Sequence, residues 1–192
     1  AGCKEDHVAG YFSGIENYAE GGGVRTFTRN GLERIMKECG VEEYHFYYPY
    51  PDYKFPTTIF SDKRLPKKGE LSNNLRNFDM DRMLLFDEKN AFDGIIEDDL
   101  FWLYSNSYMV VIGADVEQEY VRFSNDRAEE FNIKTVVELT DGKRVVRKYP
   151  MNKEGYAHIL SMKSAYDKLN EKFAGSKLSI NRCEIEYVGE MP

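Results

Sequence analysis

Apolar residues recur at helical spacing in two stretches of the chain and at strand spacing through most of the rest. Between Thr28 and Gly40, Leu32, Ile35, Met36 and Cys39 fall at i, i+3, i+4 and i+7 and share one face. Thr28 offers an N-cap oxygen and Gly40 a left-handed stop, so a helix over 29–39 is predicted. The second helical stretch is 152–173. Asn152 can cap it, Gly175 ends it, and Tyr156, Ile159, Leu160, Tyr166, Leu169 and Phe173 form its stripe. Apolar pairs at helical spacing also place one or two helices in 79–100.

Strand patterns cover 43–50, 107–113, 118–125, 132–140, 143–150 and 176–188. The first, "EYHFYYPY", carries aromatic residues throughout, and Pro49 and Pro51 require it to end there or to run along a sheet edge. "PDYKFP" (51–56) reads as a turn or extended loop, and the polar 62–76 as an excursion from the core. Asp141-Gly142 marks a hairpin between two of the later strands. The order strand–strand–strand–helix–strand in the second half, after a mixed first half, predicts an α+β fold. A boundary falls at 114–117, giving regions 1–116 and 117–192. "EGGGVRTF" (20–27) reads as a mobile loop, because its glycines are consecutive and no Lys-Ser/Thr follows them.

A net charge of −7 disfavours nucleic acid and anionic lipid as partners. No run approaches the roughly 20 apolar residues of a membrane helix. The start, "AGCKEDHVAG", has neither a basic n-region nor a starting Met, which reads as a fragment or processed product. Cys3, Cys39 and Cys183 lie far apart, as do His7, His45 and His158. A metal site or disulfide framework is therefore not expected, and reduced thiols fit a cytoplasmic location.

Several residues carry candidate chemistry. "EDH" sets Glu5 and Asp6 beside His7, an imidazole whose usual pKa suits a general base; a loop end or helix cap explains it as well. Tyr47, Tyr48, Tyr50 and Tyr53 can stack on a sugar or base, or cover a sheet. Asp52 can accept from a hydroxyl or amine, or simply form a turn. Trp102 is a candidate interface or core residue.

"AGCKEDHVAGYFSGIENY", "RTFTRNGLERIMKECGV", "YHFYYPYPDYKFPTTIFSD" and "LYSNSYMVVIG" together resemble the C-terminal part of a class I S-adenosylmethionine-dependent methyltransferase. Residues 29–39 correspond to that family's last crossover helix. Residues 43–50 and 106–113 correspond to the two antiparallel strands after it, with 51–105 inserted. The strings "EDH…YF…GIENY" and "YPYPDY" look like those of bacterial members associated with cell-surface glycan genes. The resemblance implies a partial methyltransferase-type sheet that contributes acceptor-side surface in surface-glycan or nucleotide-sugar modification. It implies substrate contacts at Glu5, Asp6, Tyr11, Tyr50 and Asp52, with His7 as base. The family's Gly-rich cofactor loop and its acidic partner are missing from this sequence, so S-adenosylmethionine is expected in a parent protein and not on this chain alone.

Residues 117–192 resemble the N-terminal lobe of a protein-kinase-like or aminoglycoside-phosphotransferase-like fold, a small antiparallel sheet with one packed helix. "RVVRK" (144–148) is similar to the strand whose Lys reaches nucleotide phosphates, which implies that role for Lys148. An exposed Lys on an alternating strand is the equal alternative. "FSNDRAEEF" has no glycine to lie over phosphates. A non-catalytic interaction or scaffold module, or a nucleotide-binding lobe, is the alternative function. An exposed sheet edge would also favour a homodimer.

Overall fold

The computed structural model describes residues 7–8, 25–71, 85–113 and 118–187. The fold is α+β. Two short strands, β1 (His7–Val8) and β2 (Arg25–Thr26), pair antiparallel. Helix α1 (Arg29–Glu38) follows, then β3 (Tyr44–Tyr50) and β4 (Thr58–Ser61). Helices α2 (Glu88–Glu97) and α3 (Phe101–Tyr104) lead into β5 (Met109–Ile112). Strand β6 (Gln118–Phe123), a 3-10 turn at Glu129–Phe131, β7 (Ile133–Thr140), β8 (Lys143–Pro150) and α4 (Glu154–Lys172) complete it. Strands β3 to β8 form one antiparallel sheet in the order β5-β3-β4-β6-β7-β8.

The two strands flanking the 51–105 insertion are neighbours, from Tyr44↔Ile112 to Tyr47↔Met109. Pro49 lies past the last of these pairs and faces only β4, at Ile59. Its missing N–H therefore removes no β3–β5 bond, and the strand continues to Tyr50. The insertion is not free of strand: β4 lies within it and pairs with β3 on one side and β6 on the other. The sheet thus runs unbroken from the first half of the chain into the second, across the boundary read at 114–117.

The proline-broken aromatic segment builds the core. Phe46, Tyr48 and Tyr50 alternate along β3 and cluster with Phe60, Leu71 and Phe101, all buried. Their rings meet edge-on: Tyr48 and Phe101 lie 5.7 Å apart at 68°, and Tyr50 and Phe92 lie 6.2 Å apart at 90°. Trp102 packs against this cluster, so it belongs to the core.

Thr28 caps α1 through Gly31 N–H at 3.1 Å. The α1 stripe is narrower than its spacing implies. Leu32 and Met36 face inward, while Ile35 and Cys39 are exposed. In α4, Asn152 Oδ1 accepts from Gly155 N–H at 2.7 Å, as a cap should. Gly155 fits there because a Cβ would stand 2.8 Å from Asn132 O. Helix α4 packs on the 3-10 turn and β8. Only part of its stripe is covered, and Tyr156, Leu160 and Leu169 remain exposed.

The strand expected at 176–188 does not form over the described 176–187. That segment makes no ladder bonds. An Arg147–Glu186 ion pair at 2.5 Å ties it to β8. Strand propensity is realised only beside a partner in register, and this segment has none among the described residues.

Candidate functional site

A polar cluster lies where α1 meets β3 and the end of β4. Arg29 opens α1, a position where the helix dipole disfavours a cation. It is retained because anions and rings converge on it. Its Nε donates to Tyr48 Oη at 3.0 Å, and a terminal nitrogen donates to Asp62 Oδ2 at 2.9 Å. Glu33, one turn along, pairs with it at 2.9 Å. The guanidinium sits 4.6 Å from the Phe46 ring centroid and 5.8 Å from that of Trp102. The Tyr48 hydroxyl donates to Asp62 Oδ1 at 2.5 Å.

Burial and the bond to Asp62 both push the Tyr48 phenol above its ordinary value. Burial alone would lower Arg29, but its bonds to Asp62 and Tyr48 outweigh that and raise it. Tyr48 is therefore a neutral phenol with both hydrogen-bonding directions filled. Such a group is a poor base and a poor nucleophile. The cluster's chemistry is that of a clamp between α1 and the sheet.

Beside it, a recess of about 50 Å³ is lined by residues that include His45, Tyr47, Asp62, Lys63 and Gln118. That volume admits a few water molecules, far below the roughly 300 Å³ at which ligand pockets begin. Among the described residues, no group of three His, Cys, Asp or Glu side chains is placed to hold a metal ion.

Among the described residues singled out in the sequence, Tyr50 and Asp52 lie apart from Lys148. Glu5, Asp6 and Tyr11 lie outside the described residues. The backbone of His7 is in β1, opposite Thr26. Tyr50 is buried, and its hydroxyl donates to Leu71 O at 2.7 Å. Asp52 forms the turn: its Oδ1 accepts from Lys54 N–H at 2.7 Å and Phe55 N–H at 3.1 Å. Lys148 is exposed on β8, opposite Thr135. Strand β8 lies four positions from β3 in the sheet, roughly 19 Å at the usual strand spacing. Neither Glu154, which opens α4, nor Glu171, in its last turn, forms an ion pair with Lys148 among the described residues.

Two features went unsignalled by pattern. Glu119 is the extra residue of a bulge between Gln118↔Glu138 and Tyr120↔Val137. Its buried carboxylate meets Arg144 Nε at 2.7 Å. Asp62 gave no signal from inside a polar excursion, whereas Arg29 in a helix's first turn is a visible anomaly.

Comparison with family models, with curated proteins and with solved structures found no match to this chain. No helix among the described residues is long and apolar enough to cross a membrane.

Proposed function

We propose that this chain is the acceptor-side part of an S-adenosylmethionine-dependent methyltransferase-like protein and turns over no substrate by itself. One observation carries the reading: α1 leads directly into β3, which pairs antiparallel with β5, and β5 has no second partner among the described residues. That edge reads "MVVI", without the charge or proline that guards exposed strands. The opposite edge, β8, reads "KRVVRKYP" and has that protection. An unguarded edge at this point supports a sheet that continues beyond β5.

S-adenosylmethionine supplies an electrophilic methyl group to such enzymes. The sequence here has no G-x-G-x-G loop to hold it, so no step through the cofactor is assigned to these residues. The chain's own contribution is to shape and orient the acceptor side.

The test is the coding sequence immediately upstream of Ala1. A strand followed by G-x-G-x-G is expected there, and a frame without it removes the reading. Calorimetric titration of this chain with S-adenosylhomocysteine should show no binding. A micromolar dissociation constant would overturn the claim that the cofactor pocket lies elsewhere.

A second reading, a non-catalytic interaction module, draws support from Tyr50 and Asp52, whose polar atoms already serve the fold. An upstream frame with no cofactor loop favours it.

A further inference from the structure

We propose that Arg122, Thr135 and Lys148 form a binding site for a phosphate group on the open face of the β6–β8 half of the sheet. Register places the three in one row: Arg122 on β6 opposes Thr135 on β7, which opposes Lys148 on β8. Directly opposed residues point to the same face. The row begins in the core, where Tyr50 opposes Thr58 and Thr58 opposes Arg122. Tyr50 and Thr58 are buried, Arg122 and Lys148 are exposed, and Thr135 is half-buried between them.

Exposure alternates along β8: Arg144, Val146 and Lys148 are exposed, while Val145, Arg147 and Tyr149 of the other face are half-buried. Arg147, on that other face, already meets Glu138 and Glu186. Among the described residues, neither the Arg122 guanidinium nor the Lys148 ammonium meets a carboxylate, whereas Arg29, Arg64, Arg144 and Arg182 each hold one. In a chain of net charge −7, two cations left uncompensated on one row are a local exception.

Opposed Cα atoms in an antiparallel ladder lie about 5 Å apart, so Arg122 and Lys148 start roughly 10 Å from one another with Thr135 midway. Their side chains are long enough to meet over the Thr135 hydroxyl from either side. The guanidinium offers paired N–H donors, the ammonium a point charge and the hydroxyl a neutral donor. A phosphate dianion has oxygens for all three, whereas a carboxylate has fewer oxygens and a single charge. Val146, two positions along β8 on the same face and 58% exposed, gives the carbon side of a phosphate monoester an apolar surface. The site is built from the register of three strands; neither the kinase-lobe resemblance nor the methyltransferase reading enters into it.

The experiment titrates the full chain at low ionic strength with inorganic phosphate, phenyl phosphate and acetate, following the Thr135 and Lys148 resonances by NMR. Saturable shifts are expected with both phosphates at a dissociation constant of about 1 mM, with acetate about tenfold weaker. Arg122→Gln and Lys148→Gln should each weaken phosphate about tenfold, and Thr135→Val about threefold. Lys143→Gln removes the same charge from the other face of β8 and should leave the affinity unchanged. No saturable shift, or acetate bound as tightly as phosphate, overturns the proposal. So does a loss in Lys143→Gln equal to that in Lys148→Gln, because it reports a diffuse field and no site. Tighter binding of phenyl phosphate than of inorganic phosphate supports an ester as the ligand, and equal affinity supports free phosphate.

Discussion

The Tyr48 hydroxyl donates to Asp62 Oδ1 across 2.5 Å while accepting from Arg29 Nε, so one buried phenol ties β3 to the end of β4 and to the first turn of α1. Phe should fill the same space and break both bonds. Tyr48→Phe is expected to cost about 1–2 kcal/mol at neutral pH, read by urea denaturation, because a charged partner is left short at each end. The alkaline limb should move the other way. The folded phenol titrates above its ordinary value of 10.0, so its contribution is whole below pH 10 and fades as pH rises through the folded value. The wild-type protein should therefore lose more stability than Tyr48→Phe above pH 10.

Glu119 and Arg144 make an unequal pair: the carboxylate side chain is 5% exposed and the guanidinium side chain 66%. Removing the exposed partner strands the buried charge. Arg144→Ala should lower the denaturation midpoint, and adding Glu119→Gln should restore part of it. A double-mutant cycle checks this, and a purely additive pair would contradict it.

Arg64 grips Glu70 through two nitrogens, each at 2.7 Å, and Lys67 N–H adds a third bond at 2.7 Å. The guanidinium bond is the main reason the Glu70 carboxyl titrates below its ordinary 4.5. A lowered value means stability that is present above pH 4.5 and lost as pH falls through the folded value. Because the pair is partly exposed, Glu70→Gln should cost only about 0.5–1 kcal/mol at neutral pH. The difference from wild type should vanish on acidification, as measured by denaturation at a series of pH values.

Core and rim within one aromatic stretch should separate sharply. Phe60 is 1% exposed against Phe101 and Tyr120, and Phe60→Ala is expected to cost about 3–5 kcal/mol. Tyr53→Ala, at a 66% exposed ring, should stay within about 0.5 kcal/mol. Thermal or chemical denaturation of the two variants checks the contrast.

The β7–β8 hairpin turns through Asp141 at φ 50° and Gly142 at φ 72°. Gly142→Ala should cost about 1 kcal/mol by denaturation, since a Cβ is strained in the left-handed region.

That turn was legible in the sequence because a positive φ at two positions demands Asp-Gly or its like. The same holds for the Thr28 and Asn152 caps and for β7 and β8, whereas the β3–β5 pairing followed only from the methyltransferase resemblance. The caps and the turn are fixed by residues close in sequence, and β7 and β8 by strand-forming runs on either side of that turn. Strand β4 was not legible: "TIFS" is four residues among turn formers, and only its position between β3 and β6 makes it a strand. The 178–187 segment is the converse. It carries strand-forming residues, but a strand needs a neighbour in register, and none lies beside it among the described residues.

The candidate site divides the same way. Residue type marked Tyr50 and Asp52 as able to bind, but type does not say whether a hydroxyl or carboxylate is already spent. A contact across the fold spends the Tyr50 hydroxyl on Leu71, while Asp52 Oδ1 is spent locally on its own turn. Local chemistry along the chain decided the caps, the Asp141-Gly142 turn and most of the elements. Which polar atoms and rings remain available was decided by packing between segments far apart in sequence, because burial and hydrogen-bond satisfaction are properties of the assembled sheet.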